Sequence, residues 1–240
     1  MKLSIIILAA GHGKRMGSAL PKVLHTMAGK PMLEHVVQAA SKLNPEQLIV
    51  VYGYQGAMVQ AALQHHAINW VEQKEQLGTG HAVLQALPVI PDNNQVLILY
   101  GDVPRITATT LHKFIQQTPK DALGILTAHF PDPTGIGRIL RDESNKIIGV
   151  VEEKEADIAQ RKINEVNVGF YLAPVNYLKQ WLPKLNNRNA QQEYYLTDII
   201  ALAVQESITV HASRVDDYRE VIGVNDQFQL AEVNAGIADS

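Results

Sequence analysis

A glycine-rich loop near the amino terminus has the composition of a phosphate-binding site. It combines glycines with cationic side chains, namely Gly11, Gly13, Gly17, Lys14, Arg15 and Lys22. Because glycine lacks a Cβ atom, the backbone of such a loop can come close to a ligand. The first 33 residues hold five Lys or Arg residues and no acidic residue. A solvated basic turn would account for the charge alone, but glycines and cations together predict a ligand that carries phosphates.

Two common phosphate-binding motifs do not match this loop. A P-loop requires Ser or Thr after its Gly-Lys pair, and here Arg15 follows Lys14. A dinucleotide fingerprint requires a third glycine where Met16 stands, and an acid at the end of the second strand. That strand, predicted at Gln47–Tyr52, is followed by no acid. A nicotinamide-dependent oxidoreductase is therefore disfavoured, although it remains an alternative.

A second chemical group follows a later apolar segment. Asp102 comes just after Val96–Tyr100, which has the composition of a buried strand. An aspartate in this position is often only a turn former. Beside a phosphate-binding loop it becomes a candidate magnesium ligand, because Mg²⁺ takes one or two carboxylates together with phosphate oxygens.

A polar segment between these two sites is suited to reading a base. Its candidate residues are Gln73, Gln76, Gly78 and Thr79. Amide side chains offer both a donor and an acceptor, as the edge of a pyrimidine requires. Gly78 permits close approach, and Thr79 begins a predicted helix whose N-terminus favours anions. Ordinary polar surface is the alternative interpretation.

The elements that must position these residues alternate along the first half of the chain. In order, the pattern predicts strand Ile5–Ala10, helix Pro31–Leu43, strand Leu48–Tyr52, helix Ala57–His66, strand Ile68–Val71, helix Thr79–Leu87 and strand Val96–Tyr100. This alternation predicts an α/β fold with a doubly wound, mostly parallel, Rossmann-like sheet. Ligands of such sheets bind beyond the carboxyl ends of the strands, so the loops after Leu8, Val71 and Tyr100 should share one edge.

The second half no longer alternates regularly between strands and helices, but its sequence contains no linker, repeat or low-complexity tract. We predict strands at Ala122–His129, Lys146–Val151, Val166–Leu172 and Ile208–Ala212, and helices at Asn176–Leu185, Leu196–Gln205 and Asp226–Ile237. A chain of 240 residues has the natural size of one α/β domain. We therefore expect a single domain over residues 1–240, with residues 1 to about 105 binding nucleotide and residues 106–240 building a sugar-binding half.

The glycine-rich loop resembles the signature of the sugar-nucleotide pyrophosphorylases. That signature is Leu-Ala-Ala-Gly-x-Gly-x-Arg-Met followed by Pro-Lys, and here it covers Leu8 to Met16 and then Pro21-Lys22. With EQLGTGHA and EYYLTDIIALA further along, the whole chain resembles the uridylyltransferases that act on N-acetylglucosamine 1-phosphate. The resemblance implies a Mg²⁺-dependent nucleotidyltransferase that uses UTP and a sugar 1-phosphate for cell-wall precursors, with no nucleic-acid or membrane partner.

The resemblance also implies roles for individual residues. Catalytic roles fall on Arg15, Lys22 and Asp102, and Mg²⁺ binding falls on Asp102 and Asn225, the latter in Gly-Val-Asn. Nucleotide binding falls on Leu8, Ala9, Ala10, Gly11, Gly13, Gln73, Gln76, Gly78 and Thr79. Sugar binding falls on Tyr100, Gly137, Glu152 and Asn167. From the residues alone, Asn225 would be interpreted as a helix N-cap, Glu152 as surface charge and Asn167 as an irregular strand residue.

The sequence departs from the family pattern at a few positions. Ile136 and Val168 stand where the family commonly has Tyr and Thr, both beside the expected sugar pocket. Arg105 and Gly17 replace a usual Leu and Tyr. Ile136 and Val168 leave a related pyrophosphorylase for another sugar 1-phosphate as an alternative. A nucleotide-binding module without turnover is a further alternative, which the presence of Arg15, Lys22, Asp102 and Asn225 disfavours.

Composition restricts the remaining functional classes. A net charge of −3 makes a broad nucleic-acid-binding face unexpected, and the absence of cysteine fits the cytoplasm. The first apolar run is too short to span a membrane. The adjacent pair His65-His66 lacks an H-E-x-x-H motif and a cysteine partner, so no zinc site is predicted there.

No hexapeptide repeats occur, so we expect neither a left-handed β-helix acetyltransferase domain nor the trimer that such a domain provides. The sequence does not determine the oligomeric state.

Overall fold

The computed structural model describes residues 2–238 as alternating strands and helices. The strands are β1 Leu3–Ala9, β2 Thr26–Met27, β3 Lys30–Pro31, β4 Gln47–Tyr52, β5 Asn69–Glu72, β6 Gln95–Tyr100, β7 Leu123–His129, β8 Arg138–Arg141, β9 Ile147–Val151, β10 Glu165–Pro174 and β11 Val210–Arg214. The α-helices are α1 Met32–Ser41, α2 Gly56–Ala62, α3 Thr79–Ala86, α4 Ala108–Gln117, α5 Val175–Trp181, α6 Ile199–Gln205 and α7 Gln227–Ala238.

One twisted sheet forms the centre of the molecule, with the strand order β11-β7-β10-β6-β1-β4-β5. Neighbouring strands run parallel except β10, which is antiparallel to both β6 and β7. The β8–β9 hairpin extends from the beginning of β10. The predicted α/β class with a mostly parallel sheet is confirmed.

Strand β1 lies at the middle of this sheet because its side chains are apolar on both faces. Ile5, Ile6 and Ile7 are fully buried, as expected for a central parallel strand covered on both sides. Ile5 and Ile7 pack with helices α1, α2 and α4, whereas Ile6 packs with α3, α5 and α6. Helices therefore cover both faces, which is the doubly wound arrangement that the sequence predicts.

The carboxyl ends of the parallel strands meet at one edge of the sheet. Strands β1, β4, β5 and β6 all point toward this edge. Because β10 runs the opposite way, it contributes its beginning, with Asn167 and Gly169, to the same edge. Helix α7 packs on strand β2 and the start of α1, where Met27, Met32 and Val233 form a small buried cluster.

Several predicted elements need correction. The second helix ends at Ala62 rather than at His66, and residues 63–65 form a turn. Helix α4 was not predicted, because few of its residues are buried apolar anchors, among them Leu111 and Phe114. Strand β8 was not predicted either, since it follows the turn-rich segment without a break in composition.

Among residues 2–238, no helix has the length and apolar character needed to cross a bilayer.

Candidate active site

Lys22, Asp102 and Asn225 come together at the carboxyl edge of the sheet. Lys22 opens a short 3-10 helix after the glycine-rich loop, Asp102 follows β6, and Asn225 precedes α7. The Lys22 Nζ atom forms an ion pair with Asp102 Oδ2 and lies 3.0 Å from Asn225 Oδ1. The side chains of Lys22 and Asp102 are only 14% and 15% exposed. The charged groups are therefore partly desolvated, which strengthens their interaction with any bound charge.

The backbone around this cluster is held by close contacts. Gly13 has a φ of +61°, and a Cβ atom there would lie 2.5 Å from Lys22 Cβ. The Gly101 amide donates to the Leu8 carbonyl over 2.9 Å, and the Val224 amide donates to the Asp102 carbonyl over 2.8 Å. Strand β1, the loop after β6 and the segment before α7 are thus tied together where the three side chains meet.

The donor set of the cluster fits a hard divalent cation. The carboxylate of Asp102 and the amide oxygen of Asn225 both contact the same ammonium group, so they converge on one cationic position. Mg²⁺ binds through one or two carboxylates, other oxygen donors and substrate phosphates. Asp102 and Asn225 are therefore the residues that would hold it.

A cleft of about 770 Å³ opens beside this cluster. Eight of the residues singled out in the sequence line it: Arg15, Thr79, Tyr100, Asp102, Gly137, Glu152, Asn167 and Asn225. Leu8, Ala9 and Ala10 lie at the end of β1 with buried side chains, and Gly11 is exposed just beyond them. The side chain of Lys14 lies outside the described part of the structure. The cavity thus collects about half of the predicted site residues, including all four that were predicted to bind the sugar.

The predicted base-reading segment is braced from within. Gln73 is only 3% exposed, and its Nε2 atom donates to the Gly78 carbonyl over 3.1 Å and lies 3.0 Å from His81 Nδ1. Gln76 Nε2 donates to the Gln73 carbonyl over 2.9 Å. A Cβ atom on Gly53 would lie 2.6 Å from Gln76 Nε2, so Gly53 is needed for this packing. The role of Gly53 was not predicted, because no local sequence pattern reveals it.

The same segment is also braced from the second half of the chain. The Tyr194 amide donates to the Leu77 carbonyl, and the Gly80 amide donates to the Tyr194 carbonyl, each over 2.8 Å. Thr79 Oγ1 accepts from the Leu196 amide over 3.1 Å. Gly78 has a φ of +117°, and a Cβ atom there would lie 2.7 Å from the backbone N and O atoms of Tyr194. Sequence reasoning did not assign Tyr194 a role, because these contacts join residues far apart in the chain.

The predicted sugar-binding residues form part of the wall of the cleft. The Asn167 amide donates to the Gly137 carbonyl over 2.9 Å. A Cβ atom on Gly137 would lie 3.4 Å from both carboxylate oxygens of Glu152. Asn167 Nδ2 donates to the Tyr171 hydroxyl over 2.7 Å, and its Oδ1 accepts from the Gly169 amide over 3.1 Å. The side chain of Asn167 is therefore fixed in place and gives this wall its shape.

This wall is acidic and partly desolvated. Burial raises the pKa of Glu152 above the usual carboxyl range, repulsion from Glu155 raises it further, and a hydrogen bond from Thr197 opposes the shift. Burial and Glu155 likewise raise the pKa of Asp198. Burial also raises the pKa of Tyr100 well above its usual value, so its phenol stays neutral and can donate a hydrogen bond. An ionised carboxylate only accepts hydrogen bonds, so Glu152 can pair with hydroxyl donors.

Replacing Gly13 by alanine should destabilise the protein. The added methyl group overlaps Lys22 Cβ, and alanine disfavours a φ of +61°, so we expect a loss of about 1–3 kcal/mol in unfolding free energy. Gly11→Ala is the matched control, since a Cβ atom there meets nothing within 4 Å. Urea denaturation measures both variants. Equal stability of the two would contradict the described packing of Gly13 on Lys22.

Comparisons with known proteins agree with this arrangement. The chain is 50% identical over 233 residues to the "Bifunctional protein GlmU" of Coxiella burnetii strain CbuK_Q154, covering 97% of this chain and 51% of that protein. It is 52% identical over 229 residues to the protein of the same name from Alkalilimnicola ehrlichii, covering 95% of this chain and 49% of the relative. The chain thus spans about half the length of these curated relatives.

Solved structures and a family model give the fold and the family. A putative glucose-1-phosphate thymidylyltransferase from Bacillus anthracis superposes with a TM-score of 0.75 at 18% identity, covering 99% of this chain and 96% of that one. The UDP-glucose pyrophosphorylase from Acinetobacter baumannii gives a TM-score of 0.70 at 21% identity, over 98% and 93%. The model described as the "MobA-like NTP transferase domain" matches residues 5–201. The resemblance found in the sequence is confirmed, and the protein belongs to the MobA-like NTP transferase family.

Proposed function

We propose that the protein transfers UMP from UTP to N-acetylglucosamine 1-phosphate, giving UDP-N-acetylglucosamine and pyrophosphate for cell-wall precursors. The observation that carries this proposal is the meeting of Lys22, Asp102 and Asn225 at a cleft that Glu152 and Asn167 also line. The 50% identity to a bifunctional relative, over 97% of this chain and 51% of that protein, supports it. A cytoplasmic location, where the nucleotide is available, belongs to the same proposal and fits the cysteine-free sequence.

The reaction needs positioning and charge neutralisation rather than a covalent enzyme intermediate. An oxygen of the sugar phosphate attacks the α-phosphorus of UTP, and the bond from that phosphorus to the departing pyrophosphate breaks. The attacking group is already an anion, so no base is required. Catalysis of this kind rests on holding the reactants in line and compensating their negative charge.

The residues at the loop end of the cleft would provide this compensation. Arg15, exposed on the cleft wall, would bind the β- and γ-phosphates, since guanidinium groups pair with phosphate oxygens. Asp102 and Asn225 would hold Mg²⁺, which neutralises phosphate charge when bound. The ammonium group of Lys22 would then turn from these ligands to the α-phosphate and the sugar phosphate.

The wall that holds Glu152 and Asn167, together with the braced loop, would select the substrates. Gln76, Gly78 and Thr79 would recognise uridine, with buried Gln73 fixing the loop, and the ends of β1 and the Gly11–Gly13 backbone would pass beneath the nucleotide. Glu152 would accept hydrogen bonds from sugar hydroxyls. Asn167, Gly137 and Tyr100 would shape the pocket for the sugar ring, as the acidic character of this wall favours hydroxyls over phosphates.

A second candidate function keeps the reaction and changes the sugar. Ile136 and Val168, the two departures from the family pattern, both line the cleft. Neither side chain offers the hydroxyl group of the Tyr and Thr that are common there. A different sugar 1-phosphate is therefore the second candidate substrate, with the same chemistry at Lys22 and Asp102.

Pyrophosphate release tests these alternatives. The protein is incubated with UTP and Mg²⁺ against a panel of sugar 1-phosphates, with an EDTA control. We expect the fastest release with N-acetylglucosamine 1-phosphate and none in EDTA. Faster release with another sugar would assign specificity to Ile136 and Val168. UTP binding without any release would indicate a nucleotide-binding module instead.

Lys22→Ala should lower kcat for pyrophosphate release by about 10²–10³-fold, the scale seen when one preorganised charge-stabilising group is removed. Its fold should persist, since Lys22 is not part of the apolar core. Lys30→Ala is the matched control, because Lys30 is exposed and contacts Gln38 rather than the cleft. Near-normal kcat in Lys22→Ala would remove Lys22 from the mechanism.

The KM for the sugar phosphate should depend on the ionisation of Glu152. Because burial raises its pKa, Glu152 gains a proton at a higher pH than an ordinary carboxyl as the solution is acidified. Protonation removes an acceptor for sugar hydroxyls, so KM should rise as pH falls through this raised pKa, with a smaller effect on kcat.

Glu152→Gln separates this effect from the titration of the substrate. The sugar phosphate has its own ionisation near about pH 6, which is common to both proteins. The ratio of the variant's KM to the wild-type KM should therefore be greatest at neutral pH and shrink on acidification. A ratio that stays constant with pH would exclude a sugar contact through the Glu152 carboxylate.

A further inference from the structure

One carboxylate and two imidazoles converge outside the cleft. Glu34 lies in the first turn of α1, and His65 and His66 lie in the turn that follows α2. Glu34 Oε1 is 3.6 Å from His65 Nε2 and 3.7 Å from His66 Nε2. The side chains of Glu34 and His66 are 12% and 19% exposed, and that of His65 is 56% exposed. The cluster is thus partly buried with one open side.

These distances fit metal ligands better than hydrogen-bond partners. Both exceed the usual limit of about 3.2 Å for an N–H···O hydrogen bond. Ligand atoms bound to tetrahedral zinc at about 2.0–2.2 Å lie about 3.4 Å apart. The three candidate ligand atoms all lie within 4.8 Å of one another. Small side-chain rotations would bring all three into a common coordination sphere.

The hydrogen bonding of the cluster is incomplete in the way that a metal ligand requires. His66 Nε2 is buried and has no hydrogen-bond partner among the residues that the structure describes, which is a costly state for a polar atom. Glu34 Oε1 accepts from Gln38 Nε2 over 3.0 Å. Outer partners of this kind orient a carboxylate ligand. The Glu34 carboxylate is therefore held in place at the cluster, and His66 Nε2 lacks a partner there.

We propose that Glu34, His65 and His66 bind a divalent transition-metal ion, with Zn²⁺ as the first choice. Two imidazoles and one carboxylate form a ligand set that zinc accepts, with water completing the coordination. Mg²⁺ is disfavoured because it takes oxygen ligands. The sequence analysis predicted no zinc site at His65-His66, since the third ligand, Glu34, is remote in sequence from the pair and joins it only through the fold.

A metal at this site would brace the base of the proposed active site. It would join the start of α1 to the turn after α2. Leu33, next to Glu34, packs beneath Gly101, where a Cβ atom would lie 2.9 Å from Leu33 Cδ1. Gly101 immediately precedes Asp102. The expected role is therefore structural, as a clamp on the helix that supports the Asp102 loop.

Zinc titration by calorimetry tests the proposal on the full chain prepared without a histidine tag. Millimolar Mg²⁺ is present throughout to occupy oxygen-ligand positions. We expect wild type to bind zinc with an affinity that falls about tenfold or more in His65→Gln and in His66→Gln, at least the scale of losing an outer-shell partner. His112→Gln is the matched control, since His112 is exposed on α4 and outside the cluster, so its zinc affinity should equal that of wild type.

A second measurement guards against misfolding of the variants. His65 is more than half exposed, so His65→Gln should keep the wild-type melting temperature without metal while losing the increase that zinc gives to wild type. Equal zinc affinity in wild type and both histidine variants would overturn the proposal, as would failure of wild type to bind zinc. Both readouts are independent of turnover, so failure here leaves the proposed nucleotidyl transfer untouched.

Discussion

The interaction on which the site depends is the shared contact of one ammonium group with a carboxylate and an amide oxygen. Lys22, Asp102 and Asn225 come from the beginning, middle and end of the chain. A partly buried charge is costly when it lacks a partner, so each of these groups constrains the others. The sheet makes the contact geometrically possible, because β1 and β6 are adjacent and end at the same edge. The backbone bond from Val224 to Asp102 then brings the third segment into register.

The charged groups of the cleft would orient a substrate of the proposed kind. Arg15 lines the cleft and Lys22 contacts Asp102 in its wall, whereas Glu152 lines the cleft among the predicted sugar-binding residues. Because Glu152 is largely buried, repulsion between its carboxylate and a phosphate is weakly screened. In the proposed function, a substrate with a phosphate at one end and hydroxyls at the other would therefore favour the orientation that places its phosphate at Lys22 and its hydroxyls at Glu152.

The sequence predicts best what local patterns determine. The apolar run of β1 predicts a buried central strand because β-branched residues without alternation suit both faces of a sheet, and the edge where its loop lies follows from parallel order. Helix α4 was not predicted because its sequence is mostly polar, and its stability depends on packing of Leu111 and Phe114. The direction of β10 was equally hidden, since a strand's composition does not state its orientation.

Within the site, the same distinction separates what was predicted from what was not. Asp102 was identified from its position after a strand, whereas Asn225 and Asn167 were assigned through the family resemblance. Gly53 and Tyr194 act through contacts with Gln76 and Gly78 that only the fold creates. The cluster of Glu34 with the two histidines is of the same kind. Residues that act through long-range packing cannot be recognised from the residues next to them in the sequence.

The reversed direction of β10 has a consequence for how this fold can diversify. Its beginning, rather than its end, supplies Asn167 and Gly169 to the edge, and the β8–β9 hairpin with Gly137 is attached there. Insertions or exchanges in that hairpin would leave β1, β6 and the Lys22 cluster undisturbed, since loops tolerate variation on a rigid scaffold. Under the proposed function, the part that recognises the acceptor and the part that carries out group transfer would thus be separately heritable. A lineage could then acquire a new sugar by altering one hairpin while inheriting an unchanged reaction.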